Sequence, residues 1–386
     1  MRIAYVTETW PPEVNGVALT AARAVRHLRE RGHEVDLIRP RQPHEETGAL
    51  AADEWLTAGV PLPMYADLRF GLARERPLAR RFAERGIELV HVATPGPLAW
   101  QAVRAAHALG LPSTSDFRTN FHTYCRYYHL GLVAPLALRA LRRFHNQTDR
   151  TFVPTRALKR DLEAEGFRRL AVVGRGVDTT RFDPAWRSIA LRRDWGVADD
   201  AVLVLYVGRI AAEKNVGLAL RAFEGVRAEA PGTRMVVVGD GPLRGELAAA
   251  HPDVRFVGAR HGERLAACYA SADCFVFPSL TDTFGNVTLE ALASGLPVVA
   301  FDTAAAAEQV QDGRSGRLAP PGDEAAFAAA LGAVVGDPPG LRRMRPEAVA
   351  AARRADWDGV LARFENHLQD TIDAHETALA PAAVVA

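Results

Sequence analysis

The sequence predicts an α/β protein of two domains, each a doubly wound parallel sheet, and three observations predict it. The chain has 386 residues, too long for one ordinary core and a good length for two. Short apolar runs of strand length alternate with helical stretches, the pattern of a parallel sheet with helices on both sides. The second half repeats this theme with no short sequence repeat, so the two halves are alike in architecture only.

In the first half, residues 3–6 read as a strand and 17–31 as a helix with Ala, Val and Leu on one face, ended by Gly32. Residues 34–38 and 89–93 are further strands, and 97–109 is a helix ended by Gly110. Residues 40–65 break the rhythm with prolines, acids and Trp55, and predict irregular loops and short strands. Residues 130–165 are mainly helical, with a strand at 151–153. Residues 181–193, with Pro184 and Trp186, read as the linker.

In the second half, strands are expected at 202–207, 234–238, 254–257, 274–277 and 297–301. Helices are expected at 216–229, 242–250, 264–270 and 287–293. A last helix fits 357–374. The Ala- and Val-rich end, 375–386, has no polar face or cap and reads as a disordered tail.

Composition narrows the class. Hydrophobic content of 48% and charged content of 24% suit a soluble globular chain. No apolar run approaches the roughly 20 residues that span a bilayer, and no leader-like apolar segment opens the sequence. Cys125, Cys268 and Cys274 form no Cys-x-x-Cys pair, so they read as reduced core fillers of a cytoplasmic protein. Residues 1–180 carry 26 Lys and Arg against 19 Asp and Glu, the remainder 21 against 27. Arginines cluster at 69–85 and 139–150, which fits either an anionic membrane surface, with the protein peripheral on it, or plain solvated helix faces. No feature points to nucleic acid.

Residues 278–297, Pro-Ser-Leu-Thr-Asp-Thr-Phe-Gly-Asn-Val-Thr-Leu-Glu-Ala-Leu-Ala-Ser-Gly-Leu-Pro, are the most informative stretch. They follow a predicted strand and run from an acidic loop through a glycine into a helix, which Gly295 and Pro297 stop. A helix start offers free N–H groups and a positive dipole end to an anion. Asp282 stands in the loop; Glu290 stands about one turn into the helix, where a carboxylate can grip ribose hydroxyls. Taken alone, the pair also fits a helix cap and a solvent-facing Glu.

This spacing resembles the E-x7-E element of family 4 of the retaining glycosyltransferases, with Asp in place of the first Glu. The resemblance covers residues 1–370 or so. It implies the GT-B architecture, two Rossmann-like domains facing each other across a cleft. The expected organisation is an acceptor-binding domain at 1–180 and a nucleotide-sugar domain at 181–356. The helix at 357–374 then crosses back onto the first domain. In that family the first acid lies by the donor sugar and the second binds ribose. The amides between them, here at Phe284, Gly285, Asn286, Val287 and Thr288, hold sugar hydroxyls and diphosphate.

Gly208-Arg209-Ile210-Ala211-Ala212-Glu213-Lys214-Asn215 follows the strongest strand of the second half. Gly208 lets backbone come close, and Arg209 with Lys214 supplies two cations for the charge that grows on a departing diphosphate. The family has its Arg/Lys diphosphate pair here. Gly239-Asp240-Gly241-Pro242 is a turn with a weak glycine signature. Asn15-Gly16 is a turn between the first strand and helix, and the resemblance puts Gly16 against the donor diphosphate or acceptor.

Ser115-Asp116-Phe117-Arg118-Thr119-Asn120-Phe121-His122 departs from the pattern. Many relatives have a His approaching the donor sugar where Arg118 stands, and His122 follows one helical turn later. Arg118 fits recognition of an anionic sugar or acceptor phosphate, or a structural pairing with Asp116 or Asp282. His122 reads as a cleft-lining residue. Gly174-Arg175-Gly176-Val177-Asp178 resembles a branch of mannosyl- and sulfoquinovosyl-type lipid glycosyltransferases, which hints at a lipid-linked hydroxyl acceptor.

The implied reaction moves a sugar from a GDP- or UDP-sugar to a hydroxyl by front-face attack. Arg209 and Lys214 stabilise the leaving phosphate, Asp282 orients the sugar and Glu290 holds the ribose. No Asp-x-Asp signature stands out, so neither metal nor cofactor is expected beyond the nucleotide sugar. A nucleotide-sugar 2-epimerase is the rival enzyme, and a non-catalytic nucleotide-sugar-binding regulator the rival class. A dehydrogenase is disfavoured, since no G-x-G-x-x-G follows either opening strand.

Overall fold

The computed structural model describes residues 1–13, 16–42, 45, 53–62, 65–118, 134–282 and 284–379. Contacts divide the chain into two units. The first joins Met1–Gly174 to Leu361–Ala386, and the second is Arg175–Val360. The division falls at Gly174, ahead of the boundary expected after Thr180. The end of the chain also differs from expectation: the helix Trp357–Leu379 runs beyond 374, so the start of the supposed tail is helical.

The first unit carries an eight-stranded sheet among the described residues. Its strands are β1 (Arg2–Val6), β2 (Glu34–Pro40), β3 (Glu54–Leu62), β4 (Tyr65–Leu72), β5 (Leu89–Val92), β6 (Ser113–Asp116), β7 (Arg150–Val153) and β8 (Leu170–Val172). Their spatial order is β4-β3-β2-β1-β5-β6-β7-β8, and only the β3–β4 pair is antiparallel. Within 40–65, read as irregular loops and short strands, residues 54–62 instead form one nine-residue strand, while 43–44, 46–52 and 63–64 lie outside the described residues. Pro61 of β3 lies beyond Thr57, where β3 no longer pairs with β2, so a missing donor is tolerated there. The last helix belongs here from Leu361 onward. Glu365 accepts from the rings of His27 and His33 at 3.0 and 2.9 Å, and Phe364 packs edge-on to His91.

The second unit carries β9 (Leu203–Val207), β10 (Arg234–Val238), β11 (Arg255–Gly258), β12 (Cys274–Phe277), β13 (Val298–Phe301) and β14 (Gly316–Ala319). All are parallel, in the order β11-β10-β9-β12-β13-β14. Every residue of β9, β12 and β13 is buried, as expected of strands covered on both faces. Cys268 and Cys274 are free and buried in this core. Residues 181–193 are not a free linker. The buried Arg192 bonds Asp273 at 2.9 Å and three backbone carbonyls, which welds this stretch to the second unit.

At the point where the first sheet reverses direction, between β1 and β5, a carboxyl fills the helix start. Glu8 accepts from the N–H of Leu98 at 2.9 Å, at the beginning of the helix Pro97–Ala108. Gly96 makes room, because a Cβ there would strike that carboxyl. Burial pushes the Glu8 carboxyl up to about 8, against the N–H groups of Leu98, Ala99 and Gly71 that favour the charged form. The proton it keeps on folding stabilises the native state fully below the unfolded value near 4.3, and this stabilisation is lost as pH rises through about 8. Glu8→Gln should therefore flatten the fall in Tm between acidic and alkaline pH. Thermal melts across that range would show the wild type losing more Tm than the variant, and parallel curves would contradict the assignment.

Candidate functional site

In the second sheet the order reverses between β9 and β12, and ligands of open α/β sheets bind beyond the carboxyl ends of such strands. Two loops meet there. The loop after β9 holds Gly208, Arg209 and the 3-10 turn Ala212–Lys214; the loop after β12 holds Asp282 and leads through Gly285 into the helix Asn286–Ala293. Side chains stitch the two together. Thr281 Oγ1 donates to the Glu213 carbonyl at 2.9 Å, and Asn215 Nδ2 to the Pro278 carbonyl at 3.5 Å. Asn215 accepts a left-handed φ of 52° to end the turn.

Lys214 Nζ donates to Asp282 Oδ1 at 2.7 Å, with both side chains mostly buried. Arg209 is 53% exposed in its side chain and leans on Glu213 at 3.5 Å. The Tyr206 hydroxyl donates to the Arg209 carbonyl at 3.2 Å and fixes that backbone. Glycine at 208 is required by a φ of 155° and by the Tyr206 hydroxyl, which lies 3.0 Å from where a Cβ would stand.

The helix Asn286–Ala293 begins at Gly285 with φ 86°. No side chain caps it and no acidic residue stands in its first turn. An uncapped start leaves N–H donors and the positive dipole end open to an anion. Phe284 and Thr288 are buried, and the Thr288 N–H donates to the Gly285 carbonyl at 3.1 Å. The Thr288 amide is therefore engaged within the turn, while those of Phe284, Gly285, Asn286 and Val287 meet no hydrogen-bond acceptor among the described residues. Glu290 accepts from the Tyr269 hydroxyl at 2.9 Å. Burial raises its carboxyl, while Tyr269 and Arg181 oppose the rise.

Sequence reasoning passed over two residues as site members. Arg175 brings Nη1 to 3.4 Å from Asn286 Oδ1, a cation beside an uncapped helix start. Tyr269 orients Glu290 from a helix 21 residues earlier. The signal for Arg175 was its flanking glycines; a Cβ on Gly176 would strike Trp357. Nothing local marked Tyr269.

Gly16 and Arg118 belong to the first unit. Gly16 opens the helix Gly16–Glu30, and its carbonyl accepts from Thr20 Oγ1 at 2.6 Å. Arg118 is 7% exposed; its Nε and Nη2 donate to the two oxygens of Asp116 at 3.0 and 3.3 Å. Its Nη1 donates to the carbonyls of Val173 and Gly174 at 3.4 and 3.2 Å. Burial alone would raise the Asp116 carboxyl, but the Arg118 charge and the His91 ring hold it at about 2. Of the two expectations for Arg118, the structure has the pairing with Asp116, and the fork it would need for an anionic ligand is engaged. Asn15 and His122 lie outside the described residues. Among those residues no group of three His, Cys, Asp or Glu is placed to hold a metal ion.

The two sheets and this loop pair define a glycosyltransferase of the GT-B fold, and the comparisons agree. Residues 14–181 match the Glycosyltransferase Family 4 description, and residues 201–337 match Glycosyl transferases group 1. The GDP-mannose-dependent alpha-mannosyltransferase of Mycobacterium tuberculosis is 37% identical over 333 residues, covering 84% of this chain and 85% of that protein. The sulfoquinovosyl transferase SQD2 of Arabidopsis thaliana is 33% identical, covering 83% of this chain and 64% of that protein. The chain belongs to glycosyltransferase family 4. Among solved structures, sucrose-phosphate synthase from Thermosynechococcus elongatus superposes with a TM-score of 0.74 at 18% identity, covering 97% of this chain and all of that one. Anabaena HepE in complex with UDP-glucose gives 0.70 at 19%, covering 96% and 100%. These two share the fold. The epimerase alternative finds no support in these likenesses.

Proposed function

We propose that this glycosyltransferase moves mannose from GDP-mannose, with retention, to a hydroxyl of a lipid-linked acceptor. The observation that carries the reading is the convergence of Arg209, Lys214 and the uncapped start of the helix Asn286–Ala293 at one sheet reversal. Together they form a seat for a diphosphate, and two cations there can stabilise the charge that develops as it departs. Glu290, oriented by Tyr269, would accept from the ribose hydroxyls. Asp282 would orient the sugar through Oδ1, since Oδ2 is buried. The leaving phosphate would help to deprotonate the acceptor, a front-face reaction that needs no metal. The first unit would bind the acceptor. A non-catalytic regulator could use the cation pair only to bind the donor, so sugar transfer itself separates the two readings.

Mannose and the GDP carrier are supported by three mannosyltransferase relatives at 33–37% identity. A lipid acceptor is supported by the sulfoquinovosyl transferase and by an alpha-monoglucosyldiacylglycerol synthase of Streptococcus pneumoniae, 28% identical. No helix among the described residues is long and apolar enough to cross a membrane. Docking on an anionic surface is the companion proposal. The helix Ala134–His145 exposes Leu136 (63%) beside the exposed Arg139 and Arg143, which suits a lipid headgroup layer.

The test is transfer from GDP-, UDP- and ADP-sugars to lipid extracts, with anomeric configuration read by NMR. The expected result is an α-mannosyl lipid from GDP-mannose and sedimentation with anionic vesicles. Turnover of a UDP-sugar in preference to GDP-mannose would overturn the donor assignment, and donor conversion without acceptor would revive the epimerase.

A further inference from the structure

Asp282 lines a cavity of about 10 Å³ together with Phe277, Ser279, Thr288, Phe301 and Thr303. Two polar atoms on its wall, Ser279 Oγ and Asp282 Oδ2, are buried without a hydrogen-bond partner among the described residues. Ser279 is only 4% exposed. Leaving a buried hydroxyl or carboxylate oxygen unsatisfied costs about 1–3 kcal/mol or more, so such atoms in native proteins call for an explanation. A space of roughly this size, with polar partners on its wall, suits one water molecule.

The backbone beside the cavity is strained. Ala304, on its wall, adopts a left-handed φ of 50°, which is strained for a residue with a Cβ. That turn directs the Ala305 N–H to the Phe284 carbonyl at 2.7 Å, latching the acidic loop against the loop after β13. The bond anchors Phe284, two residues beyond Asp282 in the same loop.

We propose that the cavity is a water site in which one molecule accepts from Ser279 Oγ and donates to Asp282 Oδ2, which makes Ser279 a positioning residue for Asp282. Oδ1 is then the only carboxylate oxygen facing outward, and Lys214 holds it. When Lys214 turns to the donor diphosphate, the water keeps the carboxylate in place for the sugar. This last step rests on the proposed function; the water site does not.

Two measurements test it. A crystal structure at a resolution that orders water should show a single molecule within hydrogen-bond distance of Ser279 Oγ and Asp282 Oδ2. A dry cavity, or Ser279 Oγ bonded to a protein acceptor, overturns the proposal. Ser279→Ala should lower kcat about tenfold through misplacement of Asp282, with donor KM unchanged and Tm lowered by only a few degrees, too little to unfold the protein at the assay temperature. An unchanged kcat, or a loss that follows Tm, also overturns it. Should the wild type fail to transfer sugar, the proposed function falls while the crystallographic readout still decides the water site.

Discussion

Arg209→Ala is expected to lower kcat for sugar transfer by about a hundred- to a thousandfold, the usual cost of removing one group aimed at developing charge. The side chain is half exposed and bonds only weakly to Glu213, so the fold should not suffer. Lys214→Ala should cost at least as much and also raise donor KM. Its ammonium is the partner of Asp282, and without it a mostly buried carboxylate would face the incoming diphosphate. Lys214→Arg should not restore activity, because a planar fork cannot replace a compact ammonium between Asp282 and a phosphate. Steady-state kinetics with Tm measured beside them checks all three. A loss under fivefold for either alanine variant would remove the cation pair from the mechanism.

Gly239→Ala is the second large effect, and it acts through the backbone. Gly239 has a φ of 147°, and its Cβ would collide with the carbonyl of Gly208 in the neighbouring turn. That contact is between main chains, so no side-chain rotation relieves it. The Gly208 N–H also donates to the Val238 carbonyl at 3.0 Å, which keeps the turns in register. The variant must either strain both turns or push Gly208 and Arg209 aside. A cost of about 3 kcal/mol is expected, which for a unit of this size lowers Tm by about 6–12 °C. The surviving folded protein should also lose transfer activity through displaced Arg209. Calorimetry and kinetics on the same preparation would show both; a Tm within about 2 °C of wild type would contradict the close approach.

The proposed diphosphate seat was legible because its parts are local. Asp282, Gly285, Asn286 and Glu290 lie in one strand–loop–helix segment, and Arg209 and Lys214 in one loop after a strongly apolar strand. What the sequence hid is non-local. The alternation of 202–301 named five of the six strands of the second sheet and missed the four-residue β14, and the β3–β4 hairpin was masked by Gly59 and Pro61, which β3 tolerates where it no longer pairs with β2. The supposed linker joins the second unit because Arg192 finds Asp273, 81 residues later. Arg118 could be read as an anion reader or a structural partner, and only its fork on Asp116 separates the two. Tyr269 and Ser279 gain their meaning from packing that no spacing rule encodes.

The two sheet reversals also differ in a way that bears on function. The helix start beside β5 is occupied by the carboxyl of Glu8, while the one after β12 has no cap and no acidic neighbour in its first turn. The first helix start is thus already filled by a side chain of the protein, and the second leaves its donors open to the anionic ligand proposed above.

The most direct test of the account is the crystal structure of the protein with GDP. The expected result is the diphosphate on the amides of Asn286 and Val287, within reach of Arg209 and Lys214, with the ribose on Glu290 and the Lys214–Asp282 bond exchanged for phosphate. Nucleotide bound elsewhere, or at this place with both cations turned away, would contradict it.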